Sequence, residues 1–453
     1  MARIEVAIGV WISLTVSFAT AQDGDGGTVA GEPPGLATIR AADLRERVQY
    51  LADDKLEGRA AGTKGNERAG EYIAAHFRQL GLRRLAMRGR SWFQDFNADS
   101  DRYKEVATRN VVGLLEGSDA LLKDEVIVIG AHYDHVGIGR FGSRESARSS
   151  LADKIHNGAD DNASGTAGMM ELAEAFAEAP PRRSLLFLAF SAEELGLLGS
   201  RHYCNEPLVP LERTIAMFNF DMIGRSEDDY LFVGGTGTSP VWGPLIERHL
   251  EPAGFAIERG PGGRAPSDNT PFYERGMPVL FFFTNVHVDY HRVSDEADTI
   301  NYGSAEKIVR AAYALIRDVA DAPARPTFQS AEGNGMPASM NKLLEEPSRA
   351  ADLARKLRGR ARDRVDKQGC GRLGFAPATA QRGELMIGEV LVDGPAARAG
   401  LEPGDVVLKV GERAVRTSKD VADALDKVAA GAEVTLEQRR AGRSEQVLVE
   451  VGR

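Results

Sequence analysis

The sequence predicts an α/β fold: a mostly parallel, mixed sheet sandwiched by helices, followed by a small β-rich C-terminal domain. Three observations carry this reading. Apolar runs of strand length at 125–131, 184–190, 215–220 and 278–284 are rich in β-branched and aromatic residues, the pattern of strands buried on both faces. Segments with helical spacing stand between strands, which implies parallel strands joined by crossover helices. Beyond a proline-bounded stretch at 323–337 the pattern changes to short strands separated by glycine turns, which reads as a second domain.

The chain has 453 residues, more than one core of ordinary size organises, so two globular units with connecting segments are expected. A formal charge of -10 argues against nucleic acid or an anionic membrane surface as the main partner. Arg3, the apolar stretch 6–18 and Ala19-Thr20-Ala21 before Gln22 form an export signal with its cleavage site. The stretch is short for a membrane span and no second candidate follows, so the expectation is an exported protein, periplasmic or extracellular, with no stable membrane span. The two cysteines, Cys204 and Cys370, exclude a disulfide framework and a thiolate metal cluster. They read as isolated thiols, with a bridge between the domains left open in an oxidising compartment.

In chain order, residues 1–21 read as the signal and 22–37 as a disordered leader rich in Gly, Asp and Pro. From Ala41, Leu44, Val48 and Leu51 share one helix face, and Ala69, Ile73, Phe77 and Leu80 mark a second helix over 66–80. Between them lies the glycine-punctuated turn 56–65. Strands follow at 91–98 and 108–116, then the run 125–131, closed by His132-Tyr133-Asp134. The polar loop 137–157 is long enough to be functional. Gly158-Ala159-Asp160-Asp161-Asn162-Ala163-Ser164-Gly165 precedes a helix marked by Met169, Leu172, Ala173 and Phe176 and stopped by Pro180-Pro181. The first large domain is assigned to 38–321, a linker and connector helix to 322–368, and the second domain to 369–453.

Each buried strand delivers an ionisable residue at or just beyond its C-terminal end. These are His132, Glu193 with Glu194, Asp221 and, on the loop after the last strand, His291, while Asp161 arrives at a helix start. Side chains from separate strands meeting at one sheet edge make a site. Alternation along extended backbone points His132 and Asp134 the same way, so the carboxylate is expected behind the imidazole. Two histidines and three carboxylates suit Zn(II), or less specifically Mn(II) or Co(II). One shared carboxylate would let the set hold two ions, and Glu193, left over, is then a general base.

In order and wording these motifs closely resemble the M28 family of zinc peptidases, over about residues 41–321. The residues that carry the likeness are His132-Tyr133-Asp134, the Gly158 to Gly165 run, Ser191-Ala192-Glu193-Glu194-Leu195-Gly196, Asp221-Met222 and Tyr290-His291. The resemblance implies two Zn(II) per chain, with His132 and Asp221 on one ion, Glu194 and His291 on the other, and Asp161, rather than Asp160, between them. It further implies a cis peptide after Asp161, Glu193 as base and Asp134 behind His132. By analogy with the carboxypeptidase relatives, Tyr290 is the oxyanion donor. Arg264 lies near the Ser267-Asp268-Asn269 turn that borders the substrate pocket in relatives, and reads as a solvated loop residue. His76, His135, His156, His202, His249 and His287 match no motif and are left out of the site.

The C-terminal segment resembles a PDZ domain. Arg372, Leu373, Gly374 and Phe375 look like its carboxylate-binding loop, and the run from Pro395 to Val407 looks like the central turn and strand of the type found in exported bacterial proteases. The combined expectation is an exported aminopeptidase acting on peptides with a free N-terminus, whose PDZ module docks substrate or a C-terminal peptide of a partner. A carboxypeptidase or glutaminyl cyclase on the same scaffold, or a non-catalytic peptide-binding scaffold, are the alternatives.

Overall fold

The computed structural model describes residues 33–86, 90–99, 105–139, 142–144, 154–333, 335–337, 370–379, 384–390, 394–401, 404–440 and 443–452. The export signal, residues 22–32 of the leader and the connector helix expected within 338–368 lie outside the described residues.

The larger unit runs α1 (Ala41–Leu51), α2 (Lys64–Gln79), β1 (Phe93–Ala98), β2 (Val106–Leu115), β3 (Val126–His132), a two-stranded ribbon β4 (Gly137–Ile138) with β5 (Ile155–His156), α3 (Gly165–Glu178), β6 (Ser184–Phe190), α4 (Leu198–Asn205), β7 (Thr214–Phe220), β8 (Tyr230–Gly234), α5 (Trp242–His249), β9 (Ala256–Gly260), α6 (Asn269–Glu274), β10 (Val279–Phe283) and α7 (Tyr302–Asp321). Eight strands form one mixed sheet in the order β1-β2-β6-β3-β7-β10-β8-β9. β3 is parallel to both β6 and β7, β7 to β10, and β8 to β9, while β1, β2 and the β10–β8 pair are antiparallel to their neighbours.

Alternation sorts the central strands onto two cores. Ile127, Ile129, Leu185, Phe187, Ala216, Phe218, Leu280 and Phe282 pack with α1, α2, α3, α5 and α7. Val126, Val128, Leu186, Leu188, Phe190, Met217 and Val279 pack with Tyr203 and Cys204 of α4 and Phe272 and Tyr273 of α6. Both faces are covered, so these strands read as continuous apolar runs instead of alternating ones. In register, His132 sits opposite Phe190, and Phe282 opposite Phe220, so the parallel strands end together. α2 begins where the Thr63 side chain accepts from Asn66 N, and α7 where Asn301 accepts from Ser304 N.

The leader is ordered at its end, contrary to the expectation of disorder through residue 37. Tyr313 Oη donates to Pro34 O, Arg310 Nη1 donates to Leu36 O at 2.9 Å, and Gly35, at φ 83°, lets the backbone cross α3 at Ala175 where a Cβ would collide. The described part of the 323–337 stretch has no helix or strand, yet it is tied to the body by Gln329 N to Thr238 O, Ala331 N to Tyr273 Oη and Gly335 N to Arg264 O.

His76 on α2 is buried between Arg47 Nη1, 3.3 Å from Nδ1, and the Met170 carbonyl, 3.1 Å from Nε2. These partners assign a neutral ring that donates from Nε2 and accepts at Nδ1. Burial and the facing guanidinium push its pKa down to about 4. The folded chain therefore binds this proton less readily than the unfolded chain, and stability contributed by the neutral ring is lost as pH falls from about 6.5 toward 4, by at most about 3 kcal/mol. His76→Gln keeps a donor and an acceptor without the titration. Unfolding measured at pH 7 and pH 4.5 should therefore show a smaller acid loss in the variant, and equal losses would remove His76 as a cause.

The C-terminal unit comprises β11 (Phe375–Thr379), β12 (Leu385–Val390), α8 (Pro395–Arg398), β13 (Val406–Val410), β14 (Arg413–Ala414), α9 (Ser418–Leu425), β15 (Glu433–Arg440) and β16 (Arg443–Glu450). The sheet order is β11-β12-β13-β15-β16, with β14 on β13, around a core that includes Leu373, Phe375, Ile387, Val410, Val421, Leu425, Leu436 and Val449. Thr417 and Asp420 cap α9 reciprocally. At the expected carboxylate loop, Arg372 donates to the Leu425 and Val428 carbonyls, and the Leu373 and Gly374 amides donate to Cys370 O at 3.0 and 3.2 Å. The outer edge of β11 pairs with no strand among the described residues. Cys204 and Cys370 are free and buried in different cores. No helix among the described residues is long and apolar enough to cross a membrane.

Candidate metal centre

The parallel strands deliver their side chains at one edge. His132 is the last residue of β3, and its Nδ1 lies 3.1 Å from the Asp134 carbonyl oxygen, which turns Nε2 into the site. The Asp134 carboxylate is farther, with Oδ1 3.8 Å from Nδ1, and it accepts instead from Glu193 N at 3.1 Å. The expectation of the carboxylate directly behind the ring assumed extended backbone through Asp134. The strand stops at His132, and the main-chain oxygen takes that position.

Glu193 and Glu194 follow β6 through Ser191, which is held by Thr108 and Asn110, and Ala192, whose φ of 60° turns the chain into the site. Asp221 follows β7; its Oδ2 accepts from Ser267 Oγ at 2.6 Å, and Met222 after it has φ 50°. His291 itself sits at φ 56°, with Nδ1 2.8 Å from Gly142 O, so its Nε2 also faces inward. Left-handed backbone at three non-glycine positions beside site residues marks where the fold has bent its chain to aim them.

Asp161 lies in the wide turn Ala159–Ser164 ahead of α3, and the Asp161–Asn162 peptide is cis. The Asp160 and Asp161 amides donate to the Asp295 carboxylate, and the Asn162 side chain bonds Gly165 N, Phe220 O and Met222 N. Asp160 points away, accepting from Ser164 Oγ and Gly224 N, with Oδ2 3.1 Å from His287 Nε2. Behind the site, Arg59 is fully buried and donates to the carbonyls of Leu51, Tyr133, Asn157 and Gly158.

Two groups of donors result, and Asp161 belongs to both. His132, Asp161 and Asp221 form one; His135, Asp161, Glu194 and His291 form the other. His132 Nε2 is 3.4 Å from Asp161 Oδ1 and from Asp221 Oδ1. His291 Nε2 is 3.0 Å from Asp161 Oδ2 and 3.2 Å from Glu194 Oε2. A tetrahedral zinc ion with bonds of about 2.0–2.1 Å spaces its donors about 3.3 Å apart, which both groups match. Among the described residues, His135 Nδ1 and Nε2, Glu194 Oε1 and His291 Nε2 are buried without a hydrogen-bond partner. Orphaned nitrogen and oxygen donors facing one point fit a cation better than they fit one another.

The electrostatics agree. Burial opposes charge on His132 and His291, yet the surrounding carboxylates outweigh it and hold both well above the ordinary imidazole range. Burial drives Glu193 well above the usual carboxylate range, with Glu194 and Asp268 adding to it against His132. Burial also lifts Asp134 and Asp268 to about 7. Against burial, His291 and His135 hold Glu194 well below its ordinary value. Negative charge is thus in excess, which dications relieve.

All five expected metal donors, with Glu193, meet here, and Tyr290 stands beside them with its ring 4.0 Å from that of His291. Burial and the carboxylates of Asp161, Glu194 and Glu193 keep the Tyr290 hydroxyl protonated. His135, left out of the site on sequence, also reaches this cluster, with Nδ1 2.9 Å from Glu194 Oε1. The available signal was its place directly after His132-x-Asp134, too short a spacing to read as a separate donor on extended chain. Ser267 and Asp268, read from the sequence as a turn bordering the pocket, reach the centre itself, and Arg59 is a part of it that the sequence reading did not single out. His156, His202 and His249 are engaged elsewhere, with Ser143, Phe96 and Asp318, and Arg264 is exposed and paired with Glu274.

Residues 110–316 match Peptidase family M28, and residues 371–451 match the PDZ domain. The larger segment is thus similar to peptidase family M28 over residues 110–316. The M28 segment is similar to Aminopeptidase YwaD of Bacillus subtilis, 29% identical over 206 residues, covering 43% of this chain and 41% of that protein. Leupeptin-inactivating enzyme 1 of Streptomyces exfoliatus is 29% identical over 271 residues, covering 59% and 53%. The chain thus spans about half the length of these relatives. A Zn-dependent exopeptidase from Parabacteroides distasonis shares the fold at a TM-score of 0.53 and 15% identity, covering 64% of this chain and all (100%) of that one.

Proposed function

We propose that this M28 protein is a dinuclear zinc aminopeptidase that works outside the cytoplasm, with the PDZ domain docking a substrate or partner by its C-terminal peptide. The observation that carries the reading is the Asp161 carboxylate, with one oxygen in each donor group. His132, Asp161 and Asp221 would hold one ion, and Asp161, Glu194 and His291 the other. When bound, zinc supplies Lewis acidity toward the scissile carbonyl and makes water a nucleophile at neutral pH. Glu193 belongs to neither donor group and lies within 4.0 Å of His132 Nε2. It takes the proton of the attacking water and returns it to the leaving amine nitrogen. Tyr290, protonated, donates to the oxygen of the tetrahedral carbon. Six carboxylates surround the centre, Asp134, Asp161, Glu193, Glu194, Asp221 and Asp268, and a mouth lined by acidic groups favours the ammonium end of a peptide over its carboxylate end.

The export reading rests on the N-terminal residues alone. For the PDZ domain, the outer edge of β11, which pairs with no strand among the described residues, is where an added peptide strand would extend the sheet.

A panel of free and N-acetylated peptides, assayed with and without chelator, tests the activity. Free N-termini should be trimmed, acetylated ones spared, and a chelator should abolish turnover until zinc is returned. Equal cleavage of blocked peptides, or release from the C-terminus, would overturn aminopeptidase action.

A further inference from the structure

His135 is the residue of this centre that no motif claims, and its surroundings give it an office. The ring is 1% exposed, and neither nitrogen has a hydrogen-bond partner among the described residues. Its Nδ1 stands 2.9 Å from Glu194 Oε1 and 3.7 Å from Asp161 Oδ2, and the Glu194 oxygen is likewise without a hydrogen bond. The two atoms are close enough to share a hydrogen bond yet do not meet its geometry, and both belong to a group of four side chains whose ligand atoms lie within 4.8 Å of one another. The ring is fixed edge-on to His291, with centroids 5.4 Å apart at 86°, so both imidazoles address the same space. Gly158 lies against its other side: a Cβ there would stand 2.5 Å from His135 Cγ and Cδ2, so a side chain at 158 would displace the ring. The His135 amide is held by Arg59 O at 3.4 Å.

We infer that His135 is a fourth protein donor to the ion held by Asp161, Glu194 and His291, and that the two metal positions are therefore unequal. This rests on the dinuclear reading above. A position with four protein donors is closed in the manner of a structural zinc site, whereas one with three, His132, Asp161 and Asp221, keeps a coordination place open in the manner of a catalytic one. Glu193 approaches His132, on the three-donor side. The division assigns tight retention to one position and substrate access to the other.

The test is cobalt titration of the metal-free full-length chain, followed by its visible spectrum, together with X-ray absorption of the two-zinc form. Wild type should take up two ions in separated steps, the first about a hundredfold tighter, and absorption should count three imidazoles shared by two ions. His135→Ala should weaken the tighter step about a hundredfold and leave the weaker one unchanged, with His135→Asn no better. Rescue by asparagine, which can still donate to Glu194, would reduce His135 to a hydrogen-bond donor and overturn the inference. So would two imidazoles by absorption, a measurement needing no variant, or two uptake steps indifferent to His135→Ala. A chain that takes up fewer than two ions overturns the dinuclear reading, and the inference with it.

Discussion

Glu193→Gln is expected to lower kcat roughly a thousandfold while leaving zinc content at the wild-type level. The amide keeps the size of the side chain and the Glu193 N contact with Asp134, but it cannot accept a proton from water or return one to the leaving amine. Zinc uptake is unaffected because Glu193 is in neither donor group. Steady-state kinetics beside metal analysis by mass spectrometry separates the two effects. Near-normal kcat would remove Glu193 from its role, and metal loss in step with activity would make it a ligand.

The second large effect is on stability. Arg59 is a fully buried cation whose donors reach four main-chain carbonyls, those of Leu51, Tyr133, Asn157 and Gly158, at 2.9 Å for Tyr133, 2.6 Å for Asn157 and 2.9 Å for Gly158. These carbonyls lie on the end of α1, the segment after β3 and the approach to Asp161. Burial lowers the guanidinium to about 10, so it stays charged at neutral pH, among the carboxylates of Asp134, Asp161, Asp295 and Glu194. Arg59→Met leaves the carbonyls without donors and should cost on the order of 4 kcal/mol. Arg59→Lys, with a charge but a single nitrogen, should fall between. Urea unfolding of the three proteins reads this directly, and a loss below about 1 kcal/mol for the methionine variant would show that the carbonyls find other partners.

What could be read in the sequence follows from how strongly each element depends on its neighbours. The central strands were plain because β3, β6, β7 and β10 are covered on both faces and must be apolar throughout. β8 and β9 were missed: Tyr230–Gly234 and Ala256–Gly260 are five residues each, and β9 is an edge strand whose Glu258 and Arg259 break any apolar run. The donors that stand at strand ends were legible by position. His135 was not, since it comes within reach of Glu194 only after the chain leaves β3 and folds back over Gly158. Asp134 was placed on the correct side of the problem but in the wrong contact, because alternation holds only while the backbone remains extended. Arg59 gave no periodic signal at all; its role is set by carbonyls 8 to 99 residues away.

The strand order has a further consequence. β3, β6, β7 and β10 form the interior of the sheet, with β2 and β1 outside on one flank and β8 and β9 on the other. Thermal fraying starts at rims, where hydrogen bonds meet solvent, and reaches the middle last. His132, and the turns that carry Glu194 and Asp221, would thus be anchored to the strands that open last. Demetallation would loosen a keystone instead of a flap, and the protein's working lifetime would be set by how slowly its innermost seam lets go.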